Sequence, residues 1–262
     1  MKKTIIFITC SILLSLSVTS LFAATKSDTA KEARWAEQIV GSLLDGEAVW
    51  LNDGTGHDFL GIYTPADDPS GRAAILLHGI GAHPNWPDVI YPLREALLEN
   101  DIASLSIQMP ILANEATDSE YSELYDEVPG RLQAAVDFLK RSGYAGIDII
   151  AHSMGARMAT YYLSRDGTDG VSSAVLIGLG NSSNSSWPES IDALSRLRVP
   201  VLDLYGGKDL DIVLDTVEDR ANSGQKNKSG IYRQIRIEEA NHFYQGHEDE
   251  LKSVVIDWLQ SR

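Results

Sequence analysis

The sequence predicts an α/β fold: a mostly parallel central sheet with helices on both faces, entered through an N-terminal antiparallel hairpin. Three observations predict it. Short apolar runs recur at Ala73 to Leu77, Ile102 to Ile107, Ile147 to Ala151, Ala174 to Ile177 and Val199 to Tyr205, as strands buried on both faces of a covered parallel sheet require. Helical periods lie between them, giving repeated βα units and a three-layer arrangement. Ahead of them, Ala48 to Leu51 and Phe59 to Tyr63 flank the turn-rich Asn52-Asp53-Gly54-Thr55-Gly56, which reads as a hairpin.

In chain order, residues 1–23 carry Lys2 and Lys3, an apolar and small-residue run from Ile5 to Phe22, and Ala23 before polar residues. A basic segment, an apolar segment and small residues in that order predict a Sec-type signal peptide with cleavage after Ala23. As a transmembrane anchor the run is at the short limit for a ~30 Å hydrocarbon core. The remaining residues, 24–262, are expected to form a single domain without a large cap, exported to the periplasm or secreted and with no stable membrane span after cleavage. Lys26 to Gly46 reads as an exposed amphipathic lead-in, with Trp35, Ile39, Leu43 and Leu44 at helical spacing.

Val128, Leu132, Ala135, Val136 and Leu139, with Pro129 in the first turn and Gly143 past the end, predict a helix. A second helix is expected from near Met154, and a terminal one from Leu251, Val254, Val255, Trp258 and Leu259. Ile231, Arg233, Ile235 and Ile237 alternate as an edge strand would. Met109 to Glu127 and Asn181 to Pro188 read as loops. With the segment running on to Leu197 they are the expected walls and entrance of a pocket, with Tyr121 and Trp187 either as apolar contacts for a substrate or as aromatics that only pack under the loops; substrate-binding residues are otherwise unassigned.

Composition narrows the function. Thirty-seven acidic against 22 basic residues give a net charge of −15, and −17 once Lys2 and Lys3 are removed, which repels a phosphate backbone and argues against nucleic acid as a partner. The single cysteine, Cys10, lies in the signal, so disulfides, thiolate metal sites and a cysteine nucleophile are excluded from the exported chain. No metal-ligand spacing such as His-Glu-x-x-His occurs, and Gly79-Ile80-Gly81 lacks the longer dinucleotide pattern; neither metal nor cofactor is expected.

The most informative segment is Ala151-His152-Ser153-Met154-Gly155-Ala156, between a strand and a helix. A serine on a sharp strand-to-helix turn exposes its hydroxyl at the carboxyl edge of the sheet, where small neighbours are needed because the backbone is crowded. A serine there can equally be an N-cap. As a nucleophile it needs a base, and the base an orienting group. Both types follow later strands: Asp209 after Val201 to Tyr205, and His242 after the edge strand. His247 is the main rival to His242, and Asp211 to Asp209; Asp203, within its strand, reads as structural.

These turns resemble those of the α/β-hydrolase superfamily. Leu76-Leu77-His78-Gly79-Ile80-Gly81 is similar to its His-Gly turn, Ala151 to Gly155 to its nucleophile elbow, Tyr205 to Asp209 to its acid turn and Asn241-His242-Phe243 to its histidine turn. The resemblance spans residues 45 to 262 and departs from the pattern at Ala151, where glycine is usual. It implies an α/β-hydrolase fold and a serine hydrolase acting on carboxylic esters or related acyl bonds of a small-molecule substrate. Ser153 would be the nucleophile, His242 the base and Asp209 the acid, with the backbone N–H groups of Ile80 and Met154 as oxyanion hole. The alternative is a non-catalytic binding or cell-envelope protein that has kept the fold. Oligomeric state is not readable.

Overall fold

The computed structural model describes residues 26–66, 71–165, 170–181 and 190–262. Among them, helix α1 (Thr29–Ser42) precedes strands β1 (Glu47–Asn52), β2 (Asp58–Thr64) and β3 (Arg72–Leu77). Helix α2 (Ile90–Glu99), β4 (Ala103–Ile107), a 3-10 helix (Asp118–Asp126), α3 (Val128–Arg141), β5 (Gly146–His152), α4 (Met154–Leu163) and β6 (Val171–Ile177) follow. The chain ends with α5 (Ser190–Leu194), β7 (Val201–Lys208), α6 (Asp211–Leu214), α7 (Val217–Gly224), β8 (Tyr232–Asn241) and α8 (Glu248–Gln260).

The eight described strands form one sheet in the order β1-β2-β4-β3-β5-β6-β7-β8. The β1–β2 and β2–β4 pairs are antiparallel, and every pair from β4–β3 to β7–β8 is parallel. The hairpin is therefore where the sequence places it, and β8 is the expected edge, running on to Asn241 rather than stopping near Ile237. Alternate side chains of the central strands feed two cores. Ile75, Leu77, Ile149 and Ala151 face Leu132, Val136 and Ala159 on one side, while Leu76, Ile150, Leu202 and Leu204 face Leu93, Leu97, Val255 and Leu259 on the other. Burial on both faces is why these strands read as apolar runs.

Residues 26–46 are more than an exposed lead-in. Helix α1 is capped by Asp28, which accepts from Lys31 N at 2.9 Å, and packs Ala36 and Ile39 on Leu60 and Ile62. Glu32 is buried because Arg131, wholly buried on α3, donates to it at 2.9 Å. Leu44 lies off this face, 93% exposed. The stretch Met109 to Glu127, expected as loop, contains the 3-10 helix, opened by a capping box in which Glu120 accepts from Thr117 N.

Residues 1–25 and 182–189 lie outside the described residues, and with them the expected signal peptide and Trp187. No helix among the described residues is long and apolar enough to cross a membrane.

Candidate active site

The carboxyl ends of parallel strands are where an open α/β sheet forms its crevice. Four turns meet there: those after β3, β5, β7 and β8, carrying His78-Gly79, Ser153, Asp209 and His242.

Ser153 sits between β5 and α4 with φ 57° and ψ −120°, a conformation that costs a non-glycine residue on the order of 1–3 kcal/mol. Crowding enforces the turn. A Cβ at Gly155 would lie 2.6 Å from the carbonyl oxygens of Leu77 and His78, and one at Gly79 would lie 2.9 Å from Ser153 Cβ. The close approach at Gly79 is thus to the serine itself. Ala151 is fully buried, so its methyl group fits where glycine is usual.

The Ser153 hydroxyl makes no helix-capping bond, which sets aside the N-cap role that the sequence leaves open. It lies 2.9 Å from His242 Nε2, and His242 Nδ1 lies 2.5 Å from Asp209 Oδ1. A carboxylate only accepts, so Nδ1 carries the imidazole proton and Nε2 is the acceptor facing the hydroxyl. Burial works against ionisation of Asp209, but the hydrogen bonds from His242, Leu210 N and Gly206 N outweigh it and hold the carboxyl below the usual aspartate range. His247 is the N-cap residue of α8 and pairs with Glu250. Asp211 is exposed at the start of α6. Neither rival joins the site.

Two further histidines brace it. His152 donates from Nε2 to the His242 carbonyl at 2.9 Å, with the rings 4.8 Å apart; burial, then the neighbouring His242, depress its pKa to about 3, so it is neutral. His78 donates from Nδ1 to the Gly79 carbonyl at 2.9 Å and accepts the Met109 N–H at Nε2. It too is pulled down to about 3 by burial. Because a trans peptide points its C=O and N–H in opposite directions, fixing Gly79 O also fixes the direction of the Ile80 N–H. Among the described residues, neither the Ile80 nor the Met154 N–H finds a protein acceptor.

Ser153 and His242 open on a cavity of about 480 Å³ whose walls include Ile80, Trp86, Met154, Arg157, Ile212 and Phe243. Its size is ordinary for a small-molecule site. Tyr121 is not in this wall: it is 2% exposed, in the core, with its hydroxyl accepting from Leu112 N. The 3-10 helix turns it inward and leaves Asp118 at the cavity. From the Asn181 to Leu197 segment, Ile191 and Asp192 line a different hollow, although Gly180 just before it does reach the cavity. Asp118 comes from the Met109 to Glu127 segment expected as a wall, whereas Arg157, Gly178 and Ile212 also line the cavity without being singled out by the sequence; of these, only Arg157 carries a signal, one helical turn beyond Ser153. No group of three or more metal-ligating side chains is assembled among the described residues.

A family described as "Protein of unknown function (DUF3530)" matches residues 7–128 and 113–261, and the chain belongs to it. No curated protein matches. Among solved structures, the chain is similar to Est1E from Butyrivibrio proteoclasticus (TM-score 0.65, 15% identity, 83% of this chain and 98% of that one). It is similar too to the esterase Pf2001 of Pyrococcus furiosus (TM-score 0.66, 17% identity, 83% and 90%). A third likeness is to a dienelactone hydrolase from Anabaena variabilis (TM-score 0.64, 20% identity, 83% and 97%). At such identities the likeness bears on the fold, which is the α/β-hydrolase fold.

Proposed function

We propose that this DUF3530 member is a serine hydrolase that cleaves carboxylic esters through an acyl-enzyme. The observation that carries the reading is the continuous hydrogen-bonded chain Ser153–His242–Asp209 opening on a cavity. Ser153 Oγ attacks the ester carbonyl as His242 Nε2 takes its proton, and Asp209 stabilises the resulting imidazolium. The negative charge on the carbonyl oxygen falls to the N–H groups of Ile80 and Met154, where loss of one such donor costs about 10²–10³ in rate. His242 then protonates the leaving alcohol. Water, deprotonated by the same imidazole, releases the acid. The names of the structural neighbours, esterase and dienelactone hydrolase, agree with acyl chemistry.

The test is labelling with a fluorophosphonate and mapping of the adduct. An adduct on Ser153 that vanishes in Ser153→Ala supports the hydrolase; folded protein that takes no adduct favours a binding protein on the same fold. We further propose that residues 24–262 act as one exported domain after removal of the leader. N-terminal sequencing of protein recovered from the periplasm or medium checks this, with Ala24 expected first.

A further inference from the structure

Besides the chain Ser153–His242–Asp209, another continuous run of buried polar groups crosses the described residues, and it ends at the oxyanion hole. Arg131 on α3, Gln108 just after β4 and His78 just after β3 are each 1% exposed or less. Taking a guanidinium out of water is costly unless close, well-made pairing offsets it. Arg131 has that pairing at one end, where Nη2 lies 2.9 Å from Glu32 Oε1 on α1 and 3.0 Å from the Ser27 hydroxyl just before it. At the other end Nη1 is shared between Glu32 Oε2 at 3.2 Å and the Gln108 carbonyl at 2.9 Å. A staple between α1 and α3 needs only the carboxylate. The bond to Gln108 carries the anchor onward into the segment that leaves β4.

That segment grips His78. The Met109 N–H lies 3.0 Å from His78 Nε2 and the Gln108 amide nitrogen 3.1 Å from it, and the same amide donates to the Met109 carbonyl at 2.8 Å. A backbone N–H only donates, so Nε2 is the bare nitrogen and Nδ1 carries the proton. Nδ1 donates to the Gly79 carbonyl at 2.9 Å, which also takes the Ala82 N–H at 3.3 Å. The other tautomer would set a proton against the Met109 N–H and a lone pair against the carbonyl. The Gly79–Ile80 peptide is thus oriented from its oxygen side, and its opposite side is the Ile80 N–H assigned to the oxyanion hole.

We propose that Arg131, Gln108 and His78 are positioning residues for the reaction, through which the buried Glu32 carboxylate of α1 sets the direction of the Ile80 N–H. The proposal rests on the hydrolase reading and adds α1 to the support of the active site. None of these four side chains lines the Ser153 cavity. They act on the transition state, because the charge that the Ile80 N–H meets develops only there.

The experiment compares 4-nitrophenyl butyrate with its thiono analogue, in which sulfur replaces the carbonyl oxygen. Sulfur is larger and a weaker acceptor, so the ratio of kcat/KM, ester over thionoester, reports on the oxyanion donors. As a ratio it is indifferent to how much of the protein is folded. His78→Ala is expected to lower kcat for the ester by about 10²–10³, the cost of one oxyanion donor, with KM little changed and the ratio reduced. His78→Asn, whose amide can still donate to Gly79, should recover part of both. Gln108→Ala is expected to lower kcat and the ratio by about tenfold, the scale of one hydrogen bond. On the His78→Asn background it should do nothing further, since the nitrogen it acts on is gone. Glu32→Gln combined with Arg131→Met removes both charges together, leaving neither unpaired, and should lower the ratio too.

A ratio that keeps its wild-type value in Gln108→Ala and in the double variant, whatever becomes of kcat, overturns the proposal and leaves the network a staple for α1. So do effects of Gln108→Ala and His78→Asn that multiply independently, and so does a wild-type ratio near one. Glu32→Gln alone keeps the test decisive if the larger changes prevent folding, since an unchanged ratio there also contradicts the proposal. In each case the hydrolase reading stands while the wild type turns over the ester. Turnover of neither compound, together with no fluorophosphonate adduct, overturns both readings.

Discussion

Strand β7 carries one buried aspartate, Asp203, and delivers a second, Asp209, just past its end. Asp203 Oδ2 accepts from Arg220 Nε at 2.8 Å, the Tyr232 hydroxyl at 2.6 Å and Gln234 Nε2 at 2.9 Å, sealed from solvent. Asp209 accepts from His242, Leu210 N and Gly206 N, but its imidazole partner reaches a serine hydroxyl at a cavity. Burial and a close hydrogen-bonded partner are common to both. What separates them is the partner: an arginine never gives up its proton in a protein, whereas an imidazole can hand one on. A buried aspartate marks a reactive site when its partner can pass a proton on and opens on space.

The contrast is sharpest in paired asparagine variants. Asp209→Asn should lower kcat for esters by about 10⁴, because the imidazole loses the group that fixes its tautomer, while the urea midpoint moves little. Asp203→Asn should do the opposite. It leaves Arg220 buried without its counter-charge, a loss of about 3–5 kcal/mol of stability, and the molecules that remain folded, counted by fluorophosphonate titration, should keep a near wild-type kcat. Equal loss of kcat in the two variants would erase the distinction.

The histidines repeat the contrast at smaller scale. His78 and His152 are held neutral in the fold, at about 3, but titrate near 6.5 when the chain unfolds. The unfolded state then binds more protons, so their contribution to stability is whole above 6.5 and is lost as the pH falls from there towards 3. The urea midpoint should decline between pH 7 and pH 5, above the range where carboxylates titrate, and less steeply in His152→Asn. A midpoint that does not decline there would contradict the buried neutral state of both rings. Asp209, held below the usual range, contributes stability that is present above its unfolded value and lost only in stronger acid. The smallest effect should come from Asp211→Asn, since Asp211 stands exposed on α6; kcat should stay close to wild type. If Asp211→Asn impairs turnover more than Asp209→Asn, the assignment of the acid falls.

The same comparison explains what the sequence makes legible. The four turns are local features: a strand, small residues where the turn is crowded, such as Gly155 under the Leu77 and His78 carbonyls, and one distinguishing side chain, His78, Ser153, Asp209 or His242. Strand order then brings them to one edge without further information. The cavity wall is not local. Tyr121 reads equally as a substrate contact or as an aromatic packed under a loop; the 3-10 helix buries it and presents Asp118 to the cavity instead. Nor does anything near Glu32 announce that it is buried, because its partner Arg131 is 99 residues away. Pairing of that range depends on the assembled fold, so side chains such as Arg157 acquire meaning only once the cavity exists.

The most direct test is whether Ser153 becomes acylated. Protein mixed with 4-nitrophenyl butyrate, quenched in acid and digested, is expected to carry a butyryl group on the peptide containing Ser153, to a higher level in Asp209→Asn if that variant slows deacylation most, and none in Ser153→Ala. Release of 4-nitrophenol by folded wild-type protein with the butyryl group on another residue, or unchanged release by Ser153→Ala, would contradict the account.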